Sequence, residues 1–179
     1  MYDVMKFLHV LTVVFMAAPL YNLIVVNERA RFGKAHIQVD RYFESLIRGN
    51  ATRCYVFQIT ALVTGVLLVG LGGSLVSLVT NWVLLVKLIL LLVLTGLLSV
   101  VTFSLQPRID GLLAQAQGEA IPQEIGAQIG PLRLKRKRLA TLCLFLVITA
   151  VLLGLQVFSL FALPLTGLLI LLAALFAWR

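Results

Sequence analysis

The sequence predicts an all-α integral membrane protein, a helical bundle of four to five transmembrane segments with its N-terminus outside. Three observations carry this reading. The residues are 61% hydrophobic and only 12% charged, whereas soluble domains carry about 25% charged residues. The apolar residues gather in runs long enough to cross a bilayer, which takes about 20 helical residues. The lysines and arginines, which leave a net charge of +8, lie mostly between those runs. Open strands are excluded, because backbone groups facing lipid must satisfy one another within the segment. A basic surface for nucleic acid would also explain the charge, but its confinement to two connections favours membrane topology, and no nucleic-acid partner is expected.

The first segment covers about 4–26. Asp3 and Lys6 cancel where a signal peptide would carry a basic leader, and the apolar run exceeds a signal core, so it reads as a mature helix. The second covers about 55–79 and ends in an uncharged turn around Ser74 to Asn81. The third, about 82–105, opens at Trp82. The last block, 139–178, is too long for one span, and Pro164 removes a helix donor near its middle, which divides it into 139–161 and 163–178. If the final piece is re-entrant or a bent continuation, the count is four.

Two connections, 27–54 and 106–138, hold the positive charge. The first has Arg29, Arg31, Lys34, Arg41, Arg48 and Arg53 against three acids; the second has Arg108, Arg133 and the run Lys135, Arg136, Lys137, Arg138. By the positive-inside rule both are cytoplasmic loops of a protein in the cytoplasmic (inner) membrane. Residues 38–47 can lie as an interfacial helix or form a solvated connector. The second loop reads as one or two short helices broken at Gly118, Pro122 and Gly130. Its basic run reads as a topology determinant, with attraction of anionic lipid headgroups as the alternative. Cys54 and Cys143 fall at the inner helix ends, facing a reducing compartment, so no disulfide is expected.

Lys87 stands inside the third apolar segment. A charge well inside hydrocarbon costs at least about 2.5–3.5 kcal/mol on insertion scales. All seven acids lie in the N-terminus or the loops, and Asp3 is the only internal counter-charge at the right end. His9 and Lys87 each follow the start of their helices by about five residues, roughly 8 Å of rise, and both helices run the same way. Gln156, near the outer end of the fourth segment, belongs to that layer, whereas Gln58 and Asn22 lie toward the other side. Met5, His9, Met16 and Leu20 form one helical stripe, with Lys6 and Thr12 on its flanks.

A neutral imidazole in a dry bundle suits haem iron or another transition metal, and Lys6, one turn outward, can meet a haem propionate. Met5 and His9 together offer soft and imidazole ligands suited to cuprous copper. The plainer reading is structural. A membrane histidine hydrogen-bonds between helices and a lysine near a helix end snorkels to the headgroups. Small residues such as Ala61, Gly65, Gly154 and Gly96 allow close helix approach, and the Thr95, Ser99, Thr102 stripe is expected to bond back to its own helix. His36 reads as a solvated loop residue.

The opening MKFLHVLTVVFMAAPLYNLIVV and the third-segment NWVLLVKLILLLVLTGL resemble the paired signatures of the small membrane superfamily of HemJ-type protoporphyrinogen oxidases and CopD-type copper-resistance proteins. The KxLH histidine and the W-x-x-x-K lysine of the former map onto His9 and Lys87. The resemblance covers roughly 4–161 and implies a four- or five-helix bundle binding b-type haem through His9. It departs after His9, where Val14 to Pro19 replace the usual tryptophan and small residues, and after Lys87, where an expected histidine is absent. Three function classes stay open. One is a haem-b protein with a redox role in electron transfer or tetrapyrrole oxidation, with Lys6, Lys87 and Gln156 beside the cofactor. Another is a copper-handling protein using His9 and Met5. The third is a non-catalytic subunit of a larger respiratory or photosynthetic membrane complex. A homo-oligomer or larger membrane complex is the expected assembly.

Overall fold

The computed structural model describes residues 1–28, 37–116, 121–156 and 163–178, and among these every regular element is helical. Helix α1 is Tyr2–Glu28, α2 is Ile37–Gly72, and a single turn α3, Ser77–Thr80, leads into α4, Trp82–Val100. The chain then winds through a π-helical turn, Val101–Leu105, directly into α5, Gln106–Gln115. Helix α6, Gln123–Gln156, and α7, Leu163–Trp178, complete the molecule.

Among the described residues four helices are long and apolar enough to cross a membrane, and α7, with 16 residues, is shorter. Among the described residues α1 packs on α2 and α6, and α4 closes the square by packing on the same two helices. Helix α7 lies against α6. Between lipid-exposed helices packing and hydrogen bonds, not water exclusion, supply the cohesion. The core of the square is Met16 and Leu20 of α1, Leu94 of α4, and Cys143, Leu144 and Val147 of α6. Phe57 of α2 adds to it and stacks on Phe15 with ring centroids 6.1 Å apart.

The segments read from composition as loops, 27–54 and 106–138, are largely helical. Helix α2 starts at Ile37, so residues 38–47 are its first turns and not a separate interfacial helix. Its 36 residues rise about 54 Å, well beyond a hydrocarbon core of about 30 Å. Its membrane portion ends at Gly72, short of the expected 79. Asn81 starts α4 by accepting from the amides of Val83 at 3.0 Å and Leu84 at 3.4 Å, which satisfies two orphan donors. Helix α6 runs through Gly130 and Pro131 without a break. Pro131 forfeits one donor there, and a second cluster, Ile129 against Ile109 and Leu113 with Ile125 and Leu132 around it, holds the turn in place. Of the expected breaks, Gly118 lies outside the described residues and Pro122 sits just before α6.

The extensions of α2, α5 and α6 meet in a buried ionic network at the basic end of the bundle. Arg136 is fully buried, and its guanidinium donates to Glu44 Oε2 at 2.5 Å, Glu44 Oε1 at 3.1 Å and Gln106 Oε1 at 2.7 Å. Arg133 donates to Asp40 and, at 2.9 Å, to Glu44 Oε1. Gln106 Nε2 donates to Glu44 Oε2 at 3.0 Å and Asp110 Oδ1 at 3.2 Å, and Arg48 reaches Asp110 Oδ2 at 2.6 Å. Arg136 thus has a structural role that the reading of the basic run as a topology determinant did not include. Its neighbours Lys135 and Arg138 are exposed, while Arg136 points between the helices. Burial is sustained because each charge meets an opposite charge and a hydrogen bond.

Candidate functional site

At the opposite end of the four-helix square, α1, α2, α4 and α6 bring His9 and Lys87 together. His9 is half-buried, and its Nδ1 lies 2.9 Å from the hydroxyl of Thr64 on α2. That hydroxyl is itself 2.7 Å from the carbonyl of Thr60 and 3.3 Å from that of Ala61. A Cβ on Gly65 would stand 3.2 Å from His9 Cε1 and 3.7 Å from Nδ1, so α2 presents a glycine where the imidazole edge rests. Lys87 comes from α4 and is half-buried, within electrostatic reach of His9. Its Nζ approaches α6 so closely that a Cβ on Gly154 would stand 3.2 Å away. Ala61, Gly65 and Gly154 thus let the helices close around two polar side chains as well as on each other.

The depth count anticipated this meeting, and the stripe through Met5, His9, Met16 and Leu20 does face inward, with Met16 and Leu20 buried and Met5 half-buried. Lys6 is half-buried and engaged in an interaction of its own. Gln156 closes α6 two residues beyond Gly154, and its side chain lies outside the described residues, as does His36. No carboxylate among the described residues pairs with Lys87: Asp40, Glu44 and Asp110 are drawn to arginines at the other end of the bundle, and Asp3, the counter-charge the sequence offered, makes no ion pair with it. Nor do three His, Cys, Asp or Glu side chains converge among the described residues. A site built on His9 therefore offers one imidazole and one ammonium.

Thr64 was not legible as a partner from the sequence. The signal available was its position one turn from Ala61 and adjacent to Gly65, on the small-residue face of α2. Deeper in the bundle, α2 and α4 meet where the Thr95 hydroxyl lies 3.0 Å from the Gln58 side-chain amide and a 2.9 Å bond joins the Tyr55 and Ser99 hydroxyls. Thr95 and Ser99 also make the expected back-bonds, to the carbonyls of Leu91 at 2.9 Å and Thr95 at 2.8 Å. Thr102 departs from that expectation: its buried hydroxyl has no partner among the described residues, in the turn where the backbone widens into the π-helix.

The fit of His9 against α2 is tight enough to test. Gly65→Ala should force the ring to shift by a few tenths of an ångström and lower the thermal midpoint, at a cost of about 1–3 kcal/mol for overpacking. Gly96→Ala, whose Cβ meets nothing within 4 Å, should leave the midpoint unchanged or raise it. Equal responses of the two variants in a detergent melting series would contradict this packing.

Comparison with protein-family models, curated proteins and solved structures gives no match for this chain.

Proposed function

We propose that the chain is a membrane protein that binds a carboxylate-bearing tetrapyrrole, haem b foremost, at the His9 and Lys87 end of the bundle, in the manner its HemJ-like motifs imply. The observation that carries the proposal is the half-buried Lys87 ammonium, which has no anion among the described residues, beside an imidazole anchored on only one edge. An anionic ligand repays the cost of the charge, and a haem propionate or tetrapyrrole carboxylate supplies that anion together with a group for the imidazole. The donor set fits a haem held by one axial histidine. The chain has two histidines, and His9 is the one among the described residues; a second axial imidazole at this end of the bundle would come from another protomer or subunit.

In this reading His9 ligates, Thr64 and Gly65 hold its ring, and Lys87 draws a carboxylate to the same layer. Lys6, one turn closer to the surface, is placed to meet a second carboxylate. Bound haem supplies reversible one-electron redox chemistry. The basic end, with Arg53, Arg108, Lys135 and Arg138 exposed, belongs in the cytoplasm by the positive-inside rule, which puts His9 and Lys87 near the outer face of the inner membrane.

An absorption spectrum of the detergent-purified protein tests the proposal. The wild type should show a Soret band and reduced b-type bands, both lost in His9→Ala. A colourless wild type that takes up no added haemin overturns it. Copper found in that colourless protein and lost in Met5→Leu would favour the copper reading. A metal-free protein that co-purifies with larger subunits would favour the accessory role.

A further inference from the structure

We infer that Thr64 is a positioning residue that fixes the proton of His9 on Nδ1, leaving Nε2 as the atom that meets the ligand. The consequence for a ligand rests on the reading above; the tautomer itself does not. A threonine hydroxyl has one proton to give and lone pairs to accept with. The Thr64 hydroxyl has its shortest contact, 2.7 Å, to the carbonyl of Thr60, with that of Ala61 at 3.3 Å. A carbonyl oxygen only accepts, so the Thr64 proton is committed to its own helix, as membrane-helix threonines commonly commit it. The oxygen of Thr64 is then an acceptor toward His9, and the 2.9 Å contact requires Nδ1 to carry the hydrogen. A neutral imidazole has a single N–H, so Nε2 is left with its lone pair.

The ring position agrees with this assignment. The Nδ1–Cε1 edge rests on α2, because those are the two ring atoms a Cβ at Gly65 would meet. Thr64 and Gly65, adjacent in sequence, thus make one cradle, in which the hydroxyl takes the N–H and the missing side chain admits the edge. Ligating histidines generally have their second nitrogen held by such a partner, which fixes tautomer and ring orientation. Here the partner is a neutral hydroxyl. It orients the ring without placing a negative charge beside it, in contrast to a carboxylate partner.

Two measurements on the full chain test the inference, and each can fail alone. His36→Gln leaves His9 as the single histidine, so ¹⁵N-histidine labelling of the detergent-solubilised, ligand-free protein, purified without a polyhistidine tag, reads His9 directly. We expect protonated Nδ1 and unprotonated Nε2, the reverse of the tautomer favoured in water. Thr64→Ser should keep that pattern, and Thr64→Val should shift part of the population to Nε2–H, with the Ala61 carbonyl left as the remaining acceptor for Nδ1–H. A predominantly Nε2-protonated His9 in the Thr64 protein overturns the assignment, as does a Thr64→Ser protein that behaves like Thr64→Val. Haemin titration is the second measurement. Thr64→Val should bind about 10–100-fold more weakly, the usual cost of losing an outer partner, and Thr64→Ser should bind like the parent. A correct tautomer in a protein that binds no haemin would sustain the Thr64 inference and sink the haem reading.

Discussion

Arg136→Met should destabilise the bundle by about 3 kcal/mol, the lower end of the range for breaking a buried ion pair. The side chain is fully buried, and its loss strips Glu44 of contacts at 2.5 and 3.1 Å and Gln106 of one at 2.7 Å. Glu44 would keep Arg133 at 2.9 Å and Gln106 at 3.0 Å, so the charge is impoverished but not abandoned. That is why the lower end applies. Replacing both partners, Arg136→Met with Glu44→Leu, should recover part of the loss, since removing a buried pair together is less damaging than orphaning one member. The Arg48 pair with Asp110 is a useful scale: Arg48 is 64% exposed, and such pairs are worth about 0–1 kcal/mol. A thermal melt in which Arg136→Met matches Arg48→Ala would show that the network carries no stability.

The same network sets a pH dependence. Burial alone would raise the Glu44 carboxyl, but hydrogen bonds and charge from Arg136, with Gln106 and Arg133, lower it from 4.5 to about 2. A carboxyl lowered on folding contributes stability that is full above its unfolded pKa and is lost as pH falls through its folded one. Glu44 should therefore leave the melting midpoint flat above about 4.5 and depress it progressively toward about 2. In Arg136→Met the descent should begin at the same pH but be shallower and level off at higher pH, because the group that holds the folded carboxyl low is gone. A descent equally deep in both proteins would assign the acid sensitivity elsewhere.

What the sequence revealed and what it hid divide on one physical point. Apolar runs announce membrane helices because nothing else satisfies the backbone in lipid, and counting residues from the helix starts was enough to place His9 and Lys87 in one layer. The charged connections were read by average composition, which describes solvent exposure and not direction. Periodicity carried the missing information. Ile129, Arg133, Arg136, Ala140, Cys143 and Val147 recur at three- and four-residue steps on α6, and all but the half-buried Arg133 are buried. The two arginines are continuations of the core stripe. On α2 the stripe Ile37, Asp40, Glu44, Ile47 repeats the pattern, and all four side chains are buried. Charged residues interrupting an apolar stripe at helical spacing are candidates for pairing, and Asp40 and Glu44 supply the partners. Thr64 was hidden for a different reason: a hydroxyl satisfied by its own backbone leaves no trace in composition, and only the fold brings His9 to its other side.

Lys87→Met separates a ligand-binding lysine from a snorkelling one through two effects of opposite sign. Without ligand the substitution removes a half-buried ammonium that has no carboxylate partner among the described residues. The ligand-free protein should become more stable, by up to the insertion cost of about 2.5–3.5 kcal/mol. With ligand the order reverses. A hydrogen bond to a charged group contributes about 1.5–3 kcal/mol, so haemin should bind the variant about 10–100-fold more weakly. Methionine keeps the length and apolar volume of the lysine stem, so neither effect can be ascribed to a cavity beside Gly154, whose Cβ position lies 3.2 Å from Nζ. The dimethyl ester of haemin provides the matching ligand change, since it keeps the iron and macrocycle for His9 and removes both carboxylates from Lys87. Wild type and Lys87→Met should bind the ester alike, and both at least as weakly as the variant binds haemin, since the ester also removes the carboxylate assigned to Lys6. If Lys87→Met binds haemin as tightly as the wild type, the ammonium is answering to lipid headgroups, and the pairing of His9 with Lys87 is a matter of packing alone.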